Sequence, residues 1–192
     1  ISSDMVNEAL ISWTRVQGSQ RPFSKFAKQS AELLALAEMR GLDVSVEAYN
    51  SVMGALNHVS RHQNKGRYTI PQHSKQVVDL FGDMVKKGSD PSPASWEHLI
   101  GAYADLGQLG KAIEILEQLR SLRIPVNSGA YVSVLWKYVD NWQIDSADEF
   151  WLRMKEDGVE LTLEAFRAMF GLCVKAKRPE RALFMLDELA FH

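Results

Sequence analysis

Residues Pro93–Asn127 read PASWEHLIGAYADLGQLGKAIEILEQLRSLRIPVN, and residues Ser128–Thr162 read SGAYVSVLWKYVDNWQIDSADEFWLRMKEDGVELT. Laid one on the other, these 35-residue stretches match without a gap. Trp96 falls on Tyr131, Leu99 on Val134, Ile100 on Leu135 and Tyr103 on Tyr138. Further along, Ala112 falls on Ala147, Leu116 on Trp151 and Leu119 on Met154. Self-similarity at a fixed period of this length marks a repeat architecture, in which no unit can bury its apolar face alone.

The register extends both ways. Downstream the same slots hold Phe166, Ala182, Leu186 and Leu189; upstream they hold Tyr49, Val77, Phe81 and Met84. The first half of the upstream unit lies 12 residues further back, which implies an insertion at about 58–72 between its two helices. The chain therefore divides into units 46–92, 93–127, 128–162 and a truncated 163–192. Residues 1–45 are read as a degenerate helix pair, with helical stretches around Asp4–Val16 and Pro22–Arg40 and a turn between them. In the first of these, Met5, Ala9 and Trp13 stand at helical spacing.

Each unit reads as two helices. Trp96, Leu99, Ile100 and Tyr103 lie on one helical face, and Ala112, Leu116 and Leu119 form the facing stripe of a second helix. Ser45, Ser92, Asn127 and Thr162 close successive units, and all four are residue types whose side chains cap a helix N-terminus. Pro93 follows in the first turn, where a missing N–H costs nothing. Gly41, Gly88 and Gly158 stand where a left-handed residue ends the second helix; Arg123 interrupts that series and predicts a weaker stop. The fold class expected is all-α: a right-handed α-solenoid of tandem antiparallel helix pairs, forming a single domain.

The 35-residue unit, the aromatic early in the first helix (Tyr49-Asn50), the start at Gly107-Gln108-Leu109 and the ending Gly88–Ser92 resemble the pentatricopeptide repeat (PPR) family. The resemblance covers residues 46–192 well and 1–45 loosely. Tetratricopeptide repeats are one residue shorter and favour a small residue where this chain has Met53, Ile100, Leu135 and Phe170. Two consecutive 35-residue spacings favour the PPR reading.

The resemblance implies RNA as a partner. In the family, one base is read by the residue after the first-helix aromatic together with the residue that closes the unit. Carried over by position, the pairs are Asn50 with Ser92, Glu97 with Asn127, and Val132 with Thr162, while Arg167 lacks a partner. Only Asn50 with Ser92 resembles a working combination, one that favours a pyrimidine. Glu97 brings a negative charge towards RNA, and Val132 has no hydrogen-bonding group. The family's branched aliphatic two residues before the aromatic is replaced by Glu47, Ala94, Gly129 and Glu164. Where the family often has a phosphate-facing lysine, the sequence has Asp105 and Asp140, and Lys175 alone fits.

Charge points the same way. The formal net charge is −2. Residues 1–92 hold 11 Lys/Arg against 9 Asp/Glu, but residues 93–162 hold 6 against 11. Phosphate neutralisation supplies most non-specific affinity for nucleic acid, so the central units are poorly equipped for it. Basic residues gather elsewhere. Arg61, Lys65 and Arg67 lie in the insertion beside Tyr68, a pattern that fits a phosphate-binding loop and equally a solvated one. Lys175, Lys177, Arg178 and Arg181 lie at the turn of the last unit and with Arg167 are read as a basic patch at the C-terminal end, the alternative being a solvated helix turn.

Nothing in the sequence points to catalysis. Cys173 is the only cysteine, in the apolar slot of Tyr103 and Tyr138, so it reads as a buried thiol. One cysteine cannot supply the C-x-x-C of a zinc deaminase. His58 and His62 have the spacing of paired metal ligands but lack companions, so no metal and no cofactor are expected. The acidic pairs Asp148-Glu149 and Glu156-Asp157 are read as solvated helix faces. No apolar run reaches the ~20 residues that span a bilayer, so no membrane insertion is expected, nor any small-molecule substrate. The chain opens at Ile1 rather than Met, so its start carries no information about targeting.

The reading adopted is a non-catalytic adaptor in an organellar ribonucleoprotein or gene-expression assembly, with RNA contact largely independent of sequence. Its partners are other proteins of a large assembly, with RNA as a second kind. A pure protein scaffold in an organellar complex and a sequence-specific RNA-binding factor are the two alternatives.

Overall fold

The computed structural model describes residues 2–15, 23–62 and 71–190. Among them every regular element is a helix and no residue is in a strand. Residues 1–108 form one compact unit holding α1 (Ser3–Arg15), α2 (Phe23–Met39), α3 (Val46–His62), α4 (Pro71–Lys86) and α5 (Pro93–Asp105). Residues 109–192 form another, holding α6 (Leu109–Ser121), α7 (Ser128–Asp140), α8 (Ile144–Glu156), α9 (Leu163–Ala176) and α10 (Pro179–Ala190). The helix starts at Pro93, Ser128 and Leu163 keep the 35-residue period.

In both units, first helices pack on first helices: α1 on α3 and α3 on α5, and separately α7 on α9. Each second helix nests against the first helix that follows it, as α2 on α3, α4 on α5, α6 on α7 and α8 on α9. The aromatic near the start of a first helix fills that nest. Trp96 packs against Phe81 with the rings tilted at 54° and their centroids 4.8 Å apart, and at the equivalent place Phe166 meets Trp151 edge-on at 5.0 Å. Ala112 and Ala147 are fully buried, as close backbone approach requires.

Helix ends follow a lattice of their own. At the seven C-termini flanked by described residues, the chain turns through a left-handed residue at Gly41, Gly88, Gly107, Arg123, Trp142, Gly158 and Lys177. All seven make the same two hydrogen bonds, as when Gly88 N–H donates to Val85 O and Ser89 N–H to Met84 O. Gly88, Arg123 and Gly158 are 35 apart, and so are Gly107, Trp142 and Lys177. Arg123 therefore does not break the series; it takes the same turn at φ 55° without glycine. At N-termini, Ser45 Oγ accepts from Ala48 N–H, Thr162 Oγ1 from Ala165 N–H, and Ser92 with Ser95 forms a complete capping box. Asn127 departs from expectation: its backbone is extended, as at an N-cap, but its side chain makes no capping bond.

Three further expectations need correction. Met5 is 65% exposed and Ala9 is also exposed, so α1 packs on a face one residue further round, with Leu10 fully buried. Asn7 sets that rotation: its amide donates to Asp43 O and accepts from Ser45 N–H, tying α1 to the loop before α3. Leu186 is 50% exposed, because Met185 takes the buried place on α10. Asp157 is no solvated charge: its side chain is 5% exposed, bonded to Arg120 at 2.7 Å and accepting from the Tyr131 hydroxyl at 3.1 Å.

That last arrangement has a counterpart in the other compact unit. There Lys87 pairs with Glu38 at 2.6 Å, and the Tyr49 hydroxyl donates to the same carboxylate. In repeat register Glu38 is equivalent to Arg120, Lys87 to Asp157 and Tyr49 to Tyr131. Both clasps join the end of one second helix to the end of the next, with the signs of the two charges exchanged. Burial, followed by the adjacent carboxylates, pushes both phenols up, Tyr131 to about 12.

Candidate nucleic-acid interface

The residue after each first-helix aromatic sits one step round from the packed face. Asn50, the first of these, is part-buried and held at both ends of its amide. Its Nδ2 donates to Ser92 Oγ at 2.9 Å, and its Oδ1 accepts from Ser95 Oγ at 2.7 Å. Ser95 Oγ in turn accepts from Ser92 N–H, and Ser92 Oγ accepts from Ser95 N–H. Each end of the amide thus has one of its two hydrogen-bonding sites engaged within the protein. Ser95 completes it from a fully buried position where the other units have Ala48, Ala130 and Ala165.

The remaining positions offer less to a base. Val132 is buried, and its closing residue Thr162 is occupied in capping α9. Glu97 belongs to the first compact unit and Asn127 to the second. Arg167 is exposed and pairs with Glu164 at 2.8 Å. Asp140 pairs with Lys137 at 3.6 Å.

Of the basic groups, Lys175 reaches Val139 O at 3.5 Å and lies 5.6 Å from the centre of the Trp142 ring. Lys177 and Arg178 are exposed at the turn after α9. Arg181, next along, is paired with Asp148 at 2.7 Å and does not join them. In the insertion, residues 58–62 are part of α3 and Pro71-Gln72 begin α4, so the first helix of this unit is longer than its 13-residue counterparts α5 and α7. Lys65, Arg67 and Tyr68 lie outside the described residues, as do the side chains of Arg61 and His62. Among the described residues, no group of three His, Cys, Asp or Glu could hold a metal ion, and no helix is long and apolar enough to cross a membrane. Cys173 is buried, which pushes its thiol up.

Two aromatic residues escaped the periodicity argument. Trp136 on α7 is 37% exposed, and Trp142 at the following turn is 59% exposed. In repeat register Trp136 stands where the other units have Gly54, Gly101 and Gly171. A methyl group at Gly171 would lie 3.9 Å from Cζ3 of the Trp136 ring, so the indole lies against the bare backbone of α9. A large side chain in a slot otherwise held by glycine was the signal in the sequence.

Comparison with known proteins accords with this geometry. The family model described as PPR repeat matches residues 94–124 and 130–159. The chain carries pentatricopeptide repeats. This PPR chain is 25% identical over 150 residues to small ribosomal subunit protein mL103 (rPPR7) of Arabidopsis thaliana, covering 78% of the chain and 34% of that protein. It is 27% identical over 121 residues to a chloroplastic pentatricopeptide repeat-containing protein of the same plant, covering 59% and 13%. The chain thus spans about a third or less of the length of these relatives. Among solved structures, the PPR domain of Arabidopsis thaliana protein-only RNase P 1 in complex with tRNA matches with a TM-score of 0.72 at 15% identity, over 97% of this chain and 88% of that one. The pentatricopeptide repeat protein PPR10 in complex with an 18-nt psaJ RNA element matches with a TM-score of 0.68 at 17% identity, over 99% and 24%. At these identities the structural likeness concerns the fold.

Proposed function

We propose that this PPR segment is a non-catalytic adaptor in an organellar ribonucleoprotein or gene-expression assembly, touching RNA with little regard to sequence. The observation that carries this reading is the internal hydrogen-bond network of Asn50, Ser92 and Ser95. Each end of the Asn50 amide already holds one hydrogen bond inside the protein, so turning the amide to face a base means exchanging bonds already made, and such an exchange gains little. Val132 supports the same reading, being buried and apolar. The organelle is inferred from relatives whose names carry mitochondrial or chloroplastic, and the assembly from the ribosomal subunit protein. Apolar surface on α10, at Leu183, Phe184 and Leu186, favours protein contact as part of the role and suits the scaffold alternative.

The test compares two variants of the whole chain by RNA titration at several salt concentrations. Arg61→Ala/Lys65→Ala/Arg67→Ala is expected to lower affinity and flatten the salt dependence, each lost phosphate contact removing about 0.7 from the log–log slope. Asn50→Ala, which leaves the Ser92 cap in place, is expected to change neither. A pyrimidine preference that disappears with Asn50→Ala would contradict the reading.

A further inference from the structure

Along α9, Arg167, Gly171 and Lys175 stand four residues apart and so form one stripe, each about 6 Å from the next. The Trp136 indole lies over the middle of that stripe, and the Trp142 indole lies beside Lys175 at its end. Lys177 and Arg178 continue it past the helix. The result is a surface on the second compact unit with two half-exposed indoles set among four cations, in a chain whose overall charge is negative. A core function does not account for Trp136, since three equivalent positions are filled by glycine and over a third of its surface faces solvent. Nor does a turn function account for Trp142, whose φ of 59° suits glycine better than any indole.

We propose that Trp136 and Trp142 form a stacking platform for unpaired bases of single-stranded RNA, with Arg167, Lys175, Lys177 and Arg178 meeting the phosphates. The charge argues for RNA over a protein partner: Glu164 and Asp140, two acids beside this face, are each already paired, with Arg167 and Lys137. An aromatic face accepts every base, which fits contact without a sequence code. The proposal rests on the RNA-contact part of the function proposed above, and names a site that the repeat code does not contain.

The experiment measures fluorescence anisotropy of a labelled oligoadenylate and of a matched abasic oligonucleotide, which keeps the phosphates and lacks the bases. Trp136→Ala is expected to weaken oligoadenylate binding roughly tenfold and to leave abasic binding unchanged. Trp136→Phe should retain most of the affinity. Trp142→Gly suits the left-handed turn, so a loss of binding there cannot come from unfolding; several-fold weakening is expected. Equal affinity of wild type and both tryptophan variants for oligoadenylate overturns the platform while leaving RNA contact elsewhere intact. Failure of the wild-type chain to bind either probe at low salt overturns both readings and leaves this face to a protein partner.

Discussion

Arg123 and Asn50 show how much a single residue's surroundings decide. Arg123 occupies a left-handed turn whose equivalents are Gly88 and Gly158, and its exposed side chain lies outside the core. A side chain in that conformation is strained by roughly 1–2 kcal/mol, part of which glycine returns as greater freedom in the unfolded chain. Arg123→Gly is therefore expected to stabilise the protein by about 0.5–1 kcal/mol. Urea unfolding with an unchanged slope and a higher midpoint would show it; a lower midpoint would mean that Arg123 holds something in place. The glycines at Gly41, Gly88 and Gly158 could be read as stops because glycine is the usual occupant of such a turn. Arg123, Trp142 and Lys177 could not, because their conformation is imposed by the repeat around them and not by their own preference. Asn50 belongs with them. Its identity and its partner Ser92 were visible in the sequence, but the third member, Ser95, stands in a small-residue slot where no side-chain hydrogen bond would be looked for.

At the level of helices, the two clasps link successive second helices through a salt bridge and a tyrosine hydroxyl. Helical pairing was legible because the apolar stripes repeat every 35 residues. The clasps were not, since Glu38–Lys87 and Arg120–Asp157 carry opposite signs at equivalent positions and so cancel in any comparison of repeats. The rotation of α1 was misread for a related reason: a hydrogen bond from Asn7 to the loop before α3, and not the apolar spacing, determines which face turns inward. The clasps give a pH dependence. Burial and the neighbouring carboxylates hold the Tyr49 and Tyr131 phenols protonated above their ordinary value. The folded state then binds more protons than the unfolded one once the pH passes about 10, so stability falls as pH rises. Their contribution is complete below about pH 10 and is lost as pH rises towards 12, where Tyr131 itself titrates. Circular dichroism in urea should find a midpoint that falls more steeply beyond about pH 10 than between about pH 8 and 9.5, where the buried Cys173 thiol already contributes a shallow fall, and Tyr131→Phe should reduce the steeper part. A midpoint that held steady to about pH 11.5 would contradict the clasp.

For the chain as a whole, fold and family were carried by two ungapped repeats, and a helical repeat whose units stack leaves little else for the sequence to specify. Function is less legible. The positions that read bases in the family are present, but in this chain one is locked by its neighbours, one is buried and one is paired with an acid. Cationic and aromatic groups gather instead on α7, α9 and the turns that follow them. The central claim is that RNA is held here without being read. Its most direct test is selection of bound molecules from a fully randomised single-stranded RNA pool by the wild-type chain, followed by sequencing. The expected result is recovery of RNA with no enriched base at any position. Enrichment of a pyrimidine at a fixed place, lost when Asn50 is changed to Ala, would contradict it.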